Sequence, residues 1–191
     1  MARLETSVAV LLAAGLSRRY GGAGKLLAEF RGKPLALHAA GTIAALPFAR
    51  QLAVCRSGDD ALAALLDQLG FVVVRNPDPA QGQASSLALG VAAAGEPEAL
   101  VVCLADMPLV TATHLRLLVD RLVPGGIVAS VARDGDAPTP PAAFSRPYLP
   151  ELLRLTGDKG ARHLLQGADL VVAPEGTLAD FDTPEDFRRA Q

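Results

Sequence analysis

Short, continuously apolar runs recur along this chain, separated by longer stretches with helical spacing. The runs are Ser7 to Leu12, Gln51 to Cys55, Phe71 to Val74, Leu100 to Leu104, Ile127 to Ala132 and Leu170 to Val172. A run that is apolar on both faces needs cover on both sides, which is the setting of a strand inside a parallel sheet. Between the runs, residues 34–46, 60–69, 85–94, 111–122, 149–155, 159–166 and 184–190 carry helical patterns. Thr111 stands where it can cap one of them. Thr183-Pro184-Glu185-Asp186 combines a cap, a proline at the first helical position and an acidic first turn. The alternation predicts an α/β fold, a single three-layer Rossmann-like domain over residues 1–191 with a mostly parallel central sheet. Arg133 to Pro147, rich in proline, reads as an extended arm or flap.

Composition narrows the class. Half the residues are hydrophobic, and 18 basic against 20 acidic side chains leave a net charge of −2, with aromatics at 4%. That balance excludes intrinsic disorder and argues against a nucleic-acid binder, which carries basic excess and stacking aromatics. Cys55 and Cys103 lie within apolar runs, which speaks against a disulfide framework or a cysteine metal knuckle and for a reducing, cytoplasmic setting. Arg3, the run Val8 to Leu16 and Ser17-Arg18-Arg19 outline a signal peptide. Glu5 spoils its basic region, and the run is too short to span a membrane.

The first run leads into a glycine-rich turn, Ala13-Ala14-Gly15-Leu16-Ser17-Arg18-Arg19-Tyr20-Gly21-Gly22-Ala23-Gly24-Lys25. In open α/β sheets the loop after the first strand is the usual phosphate cradle: small residues admit anionic oxygens to backbone N–H groups, and Arg19 and Lys25 can neutralise them. The dinucleotide fingerprint is absent. The Walker A pattern also fails, because leucine follows Gly24-Lys25 and Arg19 stands where a glycine is required.

Leu12 to Lys25 resembles the signature loop of the nucleotidyltransferases that activate sugars, isoprenoid precursors and molybdenum cofactors. The nearest likeness is to the molybdenum-cofactor nucleotidyltransferases and, within them, the cytidylyltransferase branch. The resemblance implies that Ala13, Ala14, Gly15, Ser17, Arg19 and Lys25 hold the triphosphate of an incoming nucleotide. Asp106 ends the fourth run ahead of Met107-Pro108. Alone it is an ordinary turn-capping aspartate, whereas in the family it matches the metal aspartate, so Arg19, Lys25 and Asp106 become the candidate catalytic residues. In Asp180-Phe181-Asp182 the two carboxylates fall on one side of an extended segment; the family likeness makes one of them complete a Mg²⁺ site, with Asp182 ahead of Asp180.

The same resemblance sets Gly82 and Ser86, in Gln81-Gly82-Gln83-Ala84-Ser85-Ser86, beside base or ribose, although Ser85 or Ser86 could simply cap a helix. Gly157-Asp158-Lys159-Gly160-Ala161-Arg162 is similar to an acceptor-side motif of the cytidylyltransferase branch, giving Asp158, Lys159 and Arg162 as acceptor-binding residues. Pro140-Pro141-Ala142-Ala143-Phe144 keeps the family's Pro-x-x-Phe but lacks its leading glycine, which leaves the acceptor's identity open. His38, His114 and His163 show no metal spacing and read as structural.

The implied reaction moves a nucleoside monophosphate, CMP from CTP, onto a phosphorylated small-molecule acceptor such as molybdopterin, releasing pyrophosphate with Mg²⁺ as cofactor. A molybdoenzyme would receive the product; nucleic acid and membrane are not expected partners. The alternatives are a guanylyltransferase, another phosphorylated acceptor, or a non-catalytic cofactor carrier. Replacing Lys25 or Asp106 by alanine is expected to cut turnover by orders of magnitude and to leave thermal unfolding nearly unchanged.

Overall fold

The computed structural model describes residues 2–20, 24–133, 135–157 and 160–190. A seven-stranded sheet forms its middle layer, in the order β5-β4-β1-β6-β8-β7-β9. These strands are β1 (Ser7–Ala13), β4 (Arg50–Arg56), β5 (Val72–Asn76), β6 (Ala99–Leu104), β7 (Ile127–Val131), β8 (Thr139–Ser145) and β9 (Asp169–Val172). β2 (Glu29–Phe30) and β3 (Lys33–Pro34) make a separate two-stranded hairpin. Every pairing in the large sheet is parallel except those of β8 with β6 and β7. The central strand β1 is buried along its whole length, as its unbroken apolar sequence requires.

Helices cover both faces. They are α1 (Ala36–Ala44), α2 (Asp60–Gln68), α3 (Gln83–Ala94), α4 (Ala112–Arg121), α5 (Leu149–Leu153) and α6 (Pro184–Arg189). One core gathers Ile43, Leu66, Leu115 and Leu118 with an aromatic cluster of Phe30, Phe181 and Phe187, so α1, α2, α4 and α6 share that face. The opposite core holds Leu87 and Val91 of α3 and Leu149 and Leu152 of α5. Alternate residues of β1 supply the two cores, Ala9 and Leu11 to the first and Val8 and Val10 to the second. At Gly90 α3 lies so close to the sheet that a Cβ would stand 2.6 Å from Val10 Cγ1.

Two sequence expectations are corrected. The proline-rich stretch is no arm: Thr139–Ser145 is a strand between β6 and β7, with Ala142, Ala143 and Phe144 buried. Pro140 and Pro141 are tolerated because the pairing with β6 begins only at Ala142, after the residues that lack an N–H. The helix expected over 159–166 reduces, among the described residues, to a 3-10 turn, Leu164–Gly167. The caps at Thr111 and Thr183 form as expected. Thr111 accepts from His114 N at 3.2 Å, and Thr183 completes a capping box with Asp186.

Candidate active site

Strand order reverses around β1: the chain moves outward through β4 and β5, then returns to place β6 on the other side of β1. At such a switch point the loops leaving the carboxyl ends of neighbouring strands splay apart and leave a crevice. Here they enclose an open cleft of about 460 Å³. Its floor is the ends of β1 and β6, at Leu12 and Leu104. The loop Ala14–Ser17 runs along it, Lys25, Asp106 and Asp182 stand on one side, and Pro79, Ala80, Gly82, Gln83 and Ser86 stand on the other. The two walls belong to opposite faces of the sheet, since Leu26 and Phe181 pack in one core and Leu87 in the other.

The charged wall is assembled from three distant parts of the chain. Gly24, at φ 110°, turns the backbone so that Lys25 opens a short 3-10 turn over Lys25–Leu27 and points inward. Lys25 is 5% exposed. Its Nζ donates to Asp106 Oδ2 at 2.8 Å and to Asp182 Oδ1 at 3.0 Å. Asp106 stands two residues beyond the end of β6. Asp182 is held from two directions: Phe181 N donates to Asp106 O at 2.9 Å, and Asp182 N donates to Asp186 Oδ2 at 3.0 Å. The same Asp186 oxygen accepts from Thr183 N and Oγ1, so the cap of α6 also fixes the backbone that carries Asp182. Arg19 reaches in from solvent, its Nη1 2.9 Å from Asp182 Oδ2.

Burial opposes the Lys25 ammonium, but the Asp106 and Asp182 carboxylates outweigh it and hold its pKa above the ordinary 10.5. Asp180 is exposed, lies outside the cleft lining and makes no ion pair with any described residue. Partial burial and then the neighbouring Asp182 and Asp106 carboxylates raise its pKa. Two carboxylates thus converge on the Lys25 ammonium, and a metal ion held by them would stand beside it. Hard oxygen donors of this kind, one or two per ion with the remaining places taken by phosphate and water, suit Mg²⁺ or Mn²⁺. Among the described residues, no group of three or more His, Cys, Asp or Glu side chains gathers to hold a metal.

Ala14, Gly15, Ser17, Arg19, Lys25, Gly82, Ser86, Asp106 and Asp182 all line the one cleft. Ala13 lies beneath it as the last residue of β1, 1% exposed. Ser17 takes a left-handed φ of 51°, which turns the loop back after Gly15. Neither Ser85 nor Ser86 caps α3. Gly82 occupies the cap position at φ 96°, Ser85 Oγ donates to Gly82 O at 2.8 Å, and Ser86 Oγ accepts from Asn76 Nδ2 at 2.9 Å. Arg162 is exposed and outside the cleft lining; Asp158 and Lys159 lie outside the described residues. The segment around them contacts the uncharged wall: Ala84 N donates to Gly157 O at 3.1 Å, and Gly160 packs on Gln83. Gln83 had no signal of its own in the sequence, since only its place one residue after Gly82 brings it to the cleft.

The remaining titratable candidates stand apart from this cleft. His38 Nε2 meets Phe30 O at 2.7 Å, and His114 Nε2 meets Ser130 Oγ at 2.7 Å. Ser130 Oγ donates to Pro141 O at 2.6 Å, so it accepts from His114 and is committed to structure. Cys55 and Cys103 are buried and free, their thiols pushed up by burial to about 11 and about 12.

The family model for the MobA-like NTP transferase domain matches residues 9–173. The chain belongs to this family. It is a nucleotidyltransferase, with the α/β fold expected from the sequence. A stretch of 118 residues is 37% identical to purine catabolism protein PucB of Bacillus subtilis, covering 58% of this chain and 56% of that protein. Nicotine blue oxidoreductase of Paenarthrobacter nicotinovorans is 31% identical over 192 residues, covering 94% of each chain. A molybdenum cofactor guanylyltransferase of Shewanella sediminis is 29% identical over 183 residues, covering 94% of this chain and 88% of that one. Among solved structures, Rv0371C of Mycobacterium tuberculosis in complex with manganese superposes with a TM-score of 0.76 at 26% identity, covering 96% of each chain.

Proposed function

We propose that this nucleotidyltransferase moves a nucleoside monophosphate from a nucleoside triphosphate onto a phosphorylated acceptor of the molybdopterin class, using a divalent metal ion such as Mg²⁺. The observation that carries the reading is the convergence of Lys25 with Asp106 and Asp182 at the strand ends, below the Ala14–Ser17 loop. Two cations, Arg19 and Lys25, face two anions there, so the side chains nearly cancel. A triphosphate brings several negative charges into that balance, and a divalent ion on Asp106 and Asp182 offsets part of them.

The chain's own residues then have separate tasks. The loop amides and Arg19 hold the β- and γ-phosphates, and Lys25 neutralises charge that grows on the α-phosphate oxygens. A divalent ion held by Asp106 and Asp182 would supply Lewis-acid polarisation of the phosphoryl oxygens. An acceptor phosphate oxygen forms the new bond to the α-phosphorus while the bond from that phosphorus to the bridging oxygen breaks, and pyrophosphate leaves with the electron pair. A phosphate nucleophile is already anionic, so no side chain has to take a proton, in keeping with the structural placement of His38 and His114. Positioning and charge neutralisation do the catalytic work.

The molybdenum cofactor guanylyltransferases among its relatives support GTP as the donor. CTP is a second reading, supported by the Gly157–Arg162 sequence, which is similar to a cytidylyltransferase motif and whose Gly157 and Gly160 contact the wall opposite the charges. A pyrophosphate-release assay with purified molybdopterin, Mg²⁺ or Mn²⁺ and each of the four common nucleoside triphosphates tests both. Release with one preferred nucleotide, dependent on acceptor, is expected. Tight nucleotide binding with no release in the presence of metal and acceptor would instead make the protein a carrier.

A further inference from the structure

The two walls of the cleft differ in charge. Among the described residues, all its ionised lining side chains stand on the side of Lys25, whereas the wall from Pro79 to Ser86 contributes none to the lining. A nucleotide carries its charge on the phosphates, so this asymmetry directs the base to the uncharged wall. Among the described residues, two polar side chains line that wall. Ser86 is buried, and its hydroxyl already accepts from Asn76 Nδ2. Gln83 is exposed and opens α3 immediately after the turn at Gly82.

The position of the Gln83 side chain is set from behind by Gly160. A Cβ on Gly160 would lie 2.9 Å from Gln83 Oε1 and 3.4 Å from its Cδ, so the carboxamide rests against bare backbone. Gly160 also adopts φ +51°, which favours glycine on its own account. The bond from Ala84 N to Gly157 O ties the same segment to the start of α3. A carboxamide presents a donor and an acceptor side by side, the pattern needed to pair with the edge of a nucleobase.

We propose that Gln83, positioned by Gly160, reads the hydrogen-bonding edge of the donor base and sets which nucleotide the enzyme prefers. This rests on the nucleotidyl-transfer reading of the cleft. The test measures kcat/KM for GTP, CTP, ATP and UTP by pyrophosphate release, and metal-supported nucleotide affinity by calorimetry, for wild type, Gln83→Leu, Gln83→Asn and Gly160→Ala. Gln83→Leu is expected to shrink the ratio between the preferred nucleotide and the next by about tenfold or more, chiefly through KM, because a lost base hydrogen bond removes discrimination. Gln83→Asn, which keeps the amide but draws it back, should also lose discrimination. Gly160→Ala should do so only while Gln83 is present, so Gly160→Ala/Gln83→Leu should discriminate no worse than Gln83→Leu. A ratio in Gln83→Leu within twofold of wild type overturns the proposal. If wild type releases no pyrophosphate, the transfer reading fails, and the calorimetric preference of wild type against Gln83→Leu still decides the role of Gln83.

Discussion

Replacing Lys25 by methionine keeps the length and apolar stem of the side chain and removes the ammonium. From the sequence, Lys25 serves a bound triphosphate, and its loss is expected to leave thermal unfolding nearly unchanged. The structure reverses that expectation. The Lys25 side chain is 6% exposed, and its Nζ is shared by Asp106 and Asp182, which are 26% and 27% exposed. Removing one partner of a fully buried pair costs about 3–5 kcal/mol. Here the orphaned carboxylates keep contact with water, so screening reduces the expected loss to about 1–3 kcal/mol. For a chain of this size that lowers the melting temperature by roughly 3–10 °C. The Lys25 pKa is raised, so this stabilisation is complete below the ordinary value of 10.5 and is lost only as pH climbs through the raised one. A melt near pH 7.5, with chelator present to exclude metal, therefore reads it in full. Arg19 still pairs with Asp182 in the variant, which leaves Asp106 as the more exposed loss. Adding Asp106→Asn to Lys25→Met should thus restore more stability than adding Asp182→Asn, a difference that a double-mutant cycle isolates. Turnover should fall by about 10²–10³ in Lys25→Met, the usual scale for losing one electrostatic stabiliser of a transition state. A Lys25→Met melt within 1 °C (roughly the resolution of such a comparison), with no gain from Asp106→Asn, would refute the ion-pair argument.

Gly90→Ala should cost about 1–3 kcal/mol and lower the thermal midpoint, because its Cβ would stand 2.6 Å from Val10 Cγ1 and 3.2 Å from Val54 Cγ2. Circular dichroism melts check this, and Val10→Ala in the same chain should return part of the loss. Burial holds the His114 pKa below 6.5, so the folded protein takes up that proton less readily than the unfolded chain. Stability linked to His114 is therefore complete above about pH 6.5 and falls as pH drops through the folded pKa; melts of His114→Gln between pH 8 and 5.5 should show a shallower decline than wild type.

What the sequence revealed, and what it hid, follows from the distance over which each feature is encoded. β1, β4 and β6 announce themselves because each carries a consecutive apolar run, which a place between two helical layers requires. Asp106 and the Ala14–Ser17 loop come next, since each begins within two residues of the end of such a strand and the topology alone carries it to the shared edge. β8 was hidden for the converse reason: Pro140 and Pro141 dominate its local composition, and the strand is licensed only by where β6 begins to pair with it. The choice between Asp180 and Asp182 is a further case. Both alternate with Phe181 on one extended segment, and local pattern cannot separate them. The separation comes from α6, whose capping box fixes the Asp182 backbone through Asp186, and from Lys25, which is 157 residues away in the chain. The pairing of Gln83 with Gly160 is equally non-local: a glycine after Gly157 reads as loop punctuation until Gln83 is placed against it. The charged residues that line the cleft were therefore legible one by one. Their mutual arrangement was not, because the ion pairs and the glycine contact that set it join parts of the chain with no sequence pattern in common.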